Sequence, residues 1–175
     1  MEIGVPSQNW DRKTSKYVDS DITAYIWSGT CDLTQKGENS KVSLVQKDID
    51  HIVQKLRETK EFLERKGVKV VLLEVTNYSI VRWNEQRGHT TTEATIEEDR
   101  QLQAKIKQIN SQIEEINLES NCTAPKFNTD LQRSRTLRHQ TEYYTNWKLL
   151  PDGIHPGPQV ARVWLLKIIN NFLQK

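Results

Sequence analysis

The eight residues Val68–Val75 (VKVVLLEV) constrain this chain most, because an almost unbroken apolar run of strand length must be buried on both faces. Ahead of them, Val45, Ile49, Ile52, Val53, Leu56 and Leu63 fall at helical spacing, and Gly67 stands where a helix would stop. The spacing predicts a helix within Val42–Lys66 leading into a buried strand. Asp21–Trp27 (DITAYIW) is dense in β-branched and aromatic residues and ends at Ser28-Gly29, which predicts an earlier strand. Strand, helix and strand make a βαβ unit. Its crossover is right-handed in nearly all cases, so the helix covers one face and something else must cover the other.

Later segments supply the covers. Leu102, Ile106, Ile109, Ile113 and Ile116 follow in alternating steps of four and three, so Glu93–Leu118 reads as a helix with one narrow apolar stripe, and Thr95 and Glu98 have capping-box spacing near its start. A coiled coil would give the same stripe, but about two to three heptads is short for one. Ala124–Leu131 reads as a short strand and Gln132–Trp147 as a polar, Arg-rich loop. Pro158–Leu173 reads as a helix with Val160, Val163, Trp164, Ile168 and Phe172 on one face. The order β-α-β-α-(β)-α predicts the α/β class, on a doubly wound parallel sheet. One domain is expected from residue 21 to 175, after a segment 1–20 without a defined pattern.

Charge narrows the partners. Lys and Arg exceed Asp and Glu by only two, too few for a phosphate-binding footprint unless they gather on one surface. Cys31 and Cys122 lie far apart and resemble neither a disulfide framework nor a CxxC zinc site, which predicts reduced thiols and a cytoplasmic setting. No cofactor or metal motif is present, and His51 and His89 have no partner at metal-ligand spacing. No apolar run reaches the roughly 18–20 residues of a membrane span, and the first residues lack the apolar core of a signal peptide.

Two short segments sit where an open α/β sheet places its chemistry, beyond a strand's carboxyl end or at a helix mouth. They are Gly29-Thr30-Cys31-Asp32 and Asp152-Gly153-Ile154-His155-Pro156. An Asp three residues before a His can hold one imidazole nitrogen and leave the other to take a proton from a nucleophile. The plainer reading has Asp152 capping backbone N–H groups and His155 merely at the surface. Spacing leaves both open.

DGIHPGPQVARVWLLKII resembles the last motif block of SGNH/GDSL hydrolases, in which an Asp-x-x-His pair precedes the terminal helix. Gly29-Thr30-Cys31-Asp32 after ITAYIWS is similar to that family's Gly-x-Asn-Asp block. The resemblance implies a three-layer, flavodoxin-like sheet and a serine esterase ancestry acting on carboxylic esters, with Asp152 orienting His155 as general base. It also implies that Gly29, Cys31 and Asp32 mark the oxyanion region. Cys31 stands where the family has an oxyanion-binding Asn, and a thiol is a weak donor. Losing one such donor costs about 10²–10³ in rate.

The larger departure is the nucleophile, because no Gly-Asp-Ser occurs anywhere in the chain. Asp19-Ser20 is the nearest imitation, but no apolar strand precedes it; Gly4 stands in for a second oxyanion glycine only at a short spacing. Cys31 acting on a substrate with His155 as base is chemically sensible, and its plainer reading is a small residue at a strand end. The expectation is an N-terminally truncated, inactive copy with an open sheet edge that invites another strand or a second copy. Gly-Thr-Cys-Asp, Tyr78–Asn84 (YSIVRWN) and Asp-Gly-x-His-Pro further resemble the esterase-like domains of some animal retrotransposons. That resemblance implies a link to nucleic acid, with Arg133, Arg135 and Arg138 as contacts; solvated loop arginines are the plainer reading.

Overall fold

The computed structural model describes residues 22–46, 48–137 and 140–174. In chain order the elements are β1 (Thr23–Ile26), a one-turn helix α1 (Thr30–Leu33), β2 (Thr34–Lys36), a 3-10 turn (Glu38–Ser40), β3 (Val42–Leu44), α2 (Ile49–Glu64) and β4 (Lys69–Leu72). There follow α3 (Ile80–Gln86), α4 (Glu93–Glu119), a short α5 (Asn128–Leu131), the strands β5 (Gln132–Leu137) and β6 (Gln140–Thr145), a second 3-10 turn (Trp147–Leu149) and α6 (Pro158–Leu173). The chain is mixed α/β.

The predicted βαβ unit is present: β1 and β4 pair in parallel, Thr23 opposite Lys69 and Ile26 opposite Leu72. Side chains alternate along a strand, so Val70 and Leu72 face one way and Val71 and Leu73 the other. Ile52, Val53 and Leu56 of α2 and the whole isoleucine stripe of α4 pack with Val70 and Leu72. On the opposite face Leu73 packs with Phe127, Leu131, Leu150 and Trp164 of α6, and Tyr25 of β1 joins them. The α4 stripe therefore serves sheet packing and not a coiled coil.

Several expectations need correction. The predicted doubly wound sheet is represented among the described residues by this one parallel pair; β2–β3 and β5–β6 form separate antiparallel ribbons. Val42–Leu44 is a strand and not helix, because β3 pairs with β2 and the Asn84 amide takes both the N–H and the C=O of Val42 at 2.8 Å. The helix starts only after Asp48, whose carboxylate accepts from the Asp50 N–H. At α4 the cap is Thr92, whose hydroxyl accepts from the Thr95 N–H; Glu98 instead accepts from the N–H of Leu44. Asn128–Leu131 is helical where a strand was expected, since the Glu74 carboxylate accepts the N–H groups of Phe127 and Asn128. Gln132–Leu137 and Gln140–Thr145 pair as antiparallel strands where a loop was expected; the ribbon is exposed almost throughout, so no apolar alternation marks it.

The outer edge of β4 carries no strand among the described residues and is closed by side chains. Lys60, buried in α2, donates to the Val70 carbonyl at 2.8 Å and pairs with Glu64 at 2.7 Å. The Asn117 amide of α4 accepts from the Leu72 N–H and donates to the Leu72 C=O, and Asn110 treats Val75 the same way. Two asparagines one heptad apart thus imitate a neighbouring strand, which removes the cost of unpaired buried backbone groups.

Candidate functional site

The turn before α6 holds the acid and the histidine together. Asp152 Oδ1 accepts from the backbone N–H groups of Ile154 at 3.0 Å and His155 at 2.7 Å, while Oδ2 lies 2.6 Å from His155 Nδ1. One carboxylate therefore closes its own turn and orients the imidazole. It does not cap α6, which opens on Gly157 and Pro158 without a side-chain cap. Burial alone would raise the Asp152 carboxyl, but the hydrogen bonds from the His155 ring and from the two backbone N–H groups hold it below the usual carboxylate value. With Nδ1 engaged, the exposed ring presents Nε2 outward, without a protein partner among the described residues.

Gly153 fixes this turn against α3. Its φ is +83°, its carbonyl accepts from the Ser79 N–H at 2.8 Å, and a Cβ there would meet Arg82 Cβ at 2.5 Å and the Trp83 nitrogen at 3.0 Å. Ser79 is the N-cap of α3, its hydroxyl accepting from the Arg82 N–H and donating to Asp99 of α4. Asp99 also accepts from the Ile80 N–H at 2.6 Å, so it pins the start of α3; burial raises its carboxyl against the opposing pull of these hydrogen bonds. Trp83 stands 6.1 Å from the His155 ring, donates from Nε1 to the Ser40 carbonyl and carries the Arg87 guanidinium on its face. Ser79 was legible as a cap only once α3 was known, and nothing in the spacing singled out Asp99.

Gly29–Asp32 lies at the carboxyl end of β1, as expected. Gly29 adopts φ +109° and packs against Val75, where a Cβ would come within 2.8 Å of the valine methyl. Cys31 and Asp32 are exposed and make no hydrogen bond with Asp152 or His155. The two segments are instead tied to one dipeptide: the Tyr78 hydroxyl donates to the Thr30 carbonyl at 2.9 Å, and the Ser79 N–H donates to Gly153. Burial raises the Tyr78 phenol strongly, which keeps it protonated as that donor.

Asp152 and His155 can thus orient and transfer a proton, and no hydroxyl or thiol stands against Nε2 among the described residues. Asp19-Ser20, Gly4 and Arg138 lie outside those residues. Arg133 and Arg135 sit on the exposed hairpin, Arg135 paired with Glu142 at 2.9 Å. Between hairpin and α3 runs an open cleft of about 650 Å³ lined by Arg82, Glu85, Tyr144, Trp147 and Lys148. Among the described residues no group of three or more His, Cys, Asp and Glu could hold a metal ion, and no helix is long and apolar enough to cross a membrane. Comparison with protein-family models, with curated proteins and with solved structures finds no match for this chain.

Proposed function

We propose that this chain is a hydrolase-like domain of the SGNH/GDSL type, retaining the acid and base of an ester-cleaving centre but not its nucleophile. The observation that carries the proposal is the 2.6 Å bond between Asp152 Oδ2 and His155 Nδ1, on a turn that leaves Nε2 outward beside Trp83. An acid that fixes the imidazole through Nδ1 leaves Nε2 to accept a proton from a hydroxyl as it attacks an ester carbonyl. In a three-layer SGNH arrangement that hydroxyl would arrive on a strand beside β1, which pairs only with β4 among the described residues. The substrate class is a carboxylic ester, and Cys31 would make a poor substitute for the oxyanion-binding amide.

The test is hydrolysis of a p-nitrophenyl acyl ester. This chain is expected to show no rate above that of His155→Ala. A longer natural transcript encoding an apolar strand ending in Gly-Asp-Ser is expected to give a product whose hydrolysis requires both that Ser and His155. If such a product hydrolyses the ester equally well after His155→Ala, the assignment fails.

A second reading, a non-catalytic interaction module, is favoured by the apolar side chains exposed on α6 and by the outward hairpin carrying Arg133 and Arg135. Self-association would use the first feature and contact with nucleic acid the second, while an added strand would pair with β1.

A further inference from the structure

Asp152 reaches His155 from within one turn, so its bond to Nδ1 moves with that turn and does not by itself set where Nε2 points. The His155 side chain is 69% exposed and has little packing of its own to fix that direction. Exposed side chains exchange rotamers within nanoseconds. Trp83 meets the ring from a segment remote in the chain: the indole and imidazole centroids lie 6.1 Å apart, with their planes tilted by 57°. That is a separation at which ring pairs attract.

Trp83 is itself well held. Its Nε1 donates to the Ser40 carbonyl at 3.0 Å, in the turn between β2 and β3, and the Arg87 guanidinium stands 3.1 Å from the ring centroid as a cation–π partner. Its backbone N–H donates to the Ser79 carbonyl at 3.1 Å, while the Ser79 N–H donates to Gly153. Ile154, the neighbour of His155, packs against the same apolar core as Trp83. Indole and turn therefore share one base, and the fold fixes the distance between them.

We infer that Trp83 is a positioning residue, whose indole, fixed by Ser40 and Arg87, holds the His155 ring in the orientation that engages Asp152 and turns Nε2 outward. The inference rests on the reading of His155 as a base, yet it concerns the ring alone. Asp152 selects the tautomer, and Trp83 selects the direction. A base that visits other rotamers is out of reach of its proton donor for that share of the time, so orientation bears directly on rate.

NMR of the wild-type protein is expected to show nuclear Overhauser contacts between the Trp83 indole and His155 ring protons, and three-bond couplings of a single His155 χ1 rotamer. Trp83→Leu, which removes the aromatic face, is expected to raise the population of other rotamers about two- to tenfold, the worth of one aromatic pair. Trp83→Phe loses the bond to Ser40 but keeps a ring, and is expected to retain the wild-type couplings. A merely structural tryptophan would give the same result in both variants, since each lacks the Nε1 donor. Absence of the Overhauser contacts in the wild type, wild-type couplings in Trp83→Leu, or equal averaging in Trp83→Leu and Trp83→Phe would each overturn the inference. No ester enters these measurements, so failure of the hydrolase reading and failure of this inference are told apart.

Discussion

Replacing Gly153 by alanine separates two costs that a left-handed glycine can carry. Gly67 and Gly153 have nearly the same φ, +79° and +83°, but a Cβ at Gly67 meets nothing within 4 Å while one at Gly153 meets Arg82 Cβ at 2.5 Å, the Trp83 nitrogen at 3.0 Å and the Ser79 carbonyl at 3.1 Å. Gly67→Ala should therefore cost only the left-handed backbone, about 1 kcal/mol. Gly153→Ala adds overpacking against α3 of about 1–2 kcal/mol and loss of the Ser79–Gly153 hydrogen bond of about 1 kcal/mol, for roughly 3–4 kcal/mol in all. For a chain of this length that is a fall in Tm of roughly 10 °C against about 3 °C for Gly67→Ala. Urea unfolding of both variants gives the comparison, and nitrogen-15 NMR of His155 shows whether the turn still holds the ring. Equal destabilisation by the two substitutions would refute the argument that α3 seats the Asp152–His155 turn.

Asn117→Leu should destabilise by about 2–4 kcal/mol in urea unfolding, since it leaves both the N–H and the C=O of Leu72 buried and unpaired; a change below about 0.5 kcal/mol would mean that the edge is satisfied otherwise. The Asp152 carboxyl is held below its ordinary value, so its stabilising contribution is present above about pH 4 and is lost as pH falls through the folded-state value. Asp152→Asn should accordingly be less stable than wild type at neutral pH and converge with it on acidification; a gap that stays constant down to about pH 2, below the carboxylate range, would sink that account. The same variant should shift neutral His155 away from the Nδ1–H tautomer that the carboxylate selects, which long-range proton–nitrogen correlation spectra report.

Parts of this fold were written in local pattern. Period and length marked α4 and α6, and the apolar density of DITAYIW and VKVVLLEV marked the parallel pair, because a helix stripe and a doubly buried strand leave signals that neighbours in the chain carry alone. Asp152 and His155 were legible as a candidate pair, because residues three apart on a turn can meet without help from elsewhere, but spacing did not choose between that pair and a plain helix cap. Where the reading failed, the deciding partner was remote. Val42–Leu44 is extended because Asn84 holds it, and Asn128–Leu131 is helical because Glu74 caps it.

The amino-acid sequence by itself determined the βαβ unit and the two long helices, products of local period and length, and left the Asp152–His155 pairing open beside a plain helix cap. Only the tertiary structure decided that Lys60, Asn110 and Asn117 close the edge of β4, that Asp99 and Ser79 anchor the helix on which Gly153 rests, and that the described residues leave large apolar side chains of α6 exposed. Those facts depend on hydrogen bonds and burial between segments tens of residues apart, and a buried amide or carboxylate carries no mark in the sequence of the backbone group it satisfies.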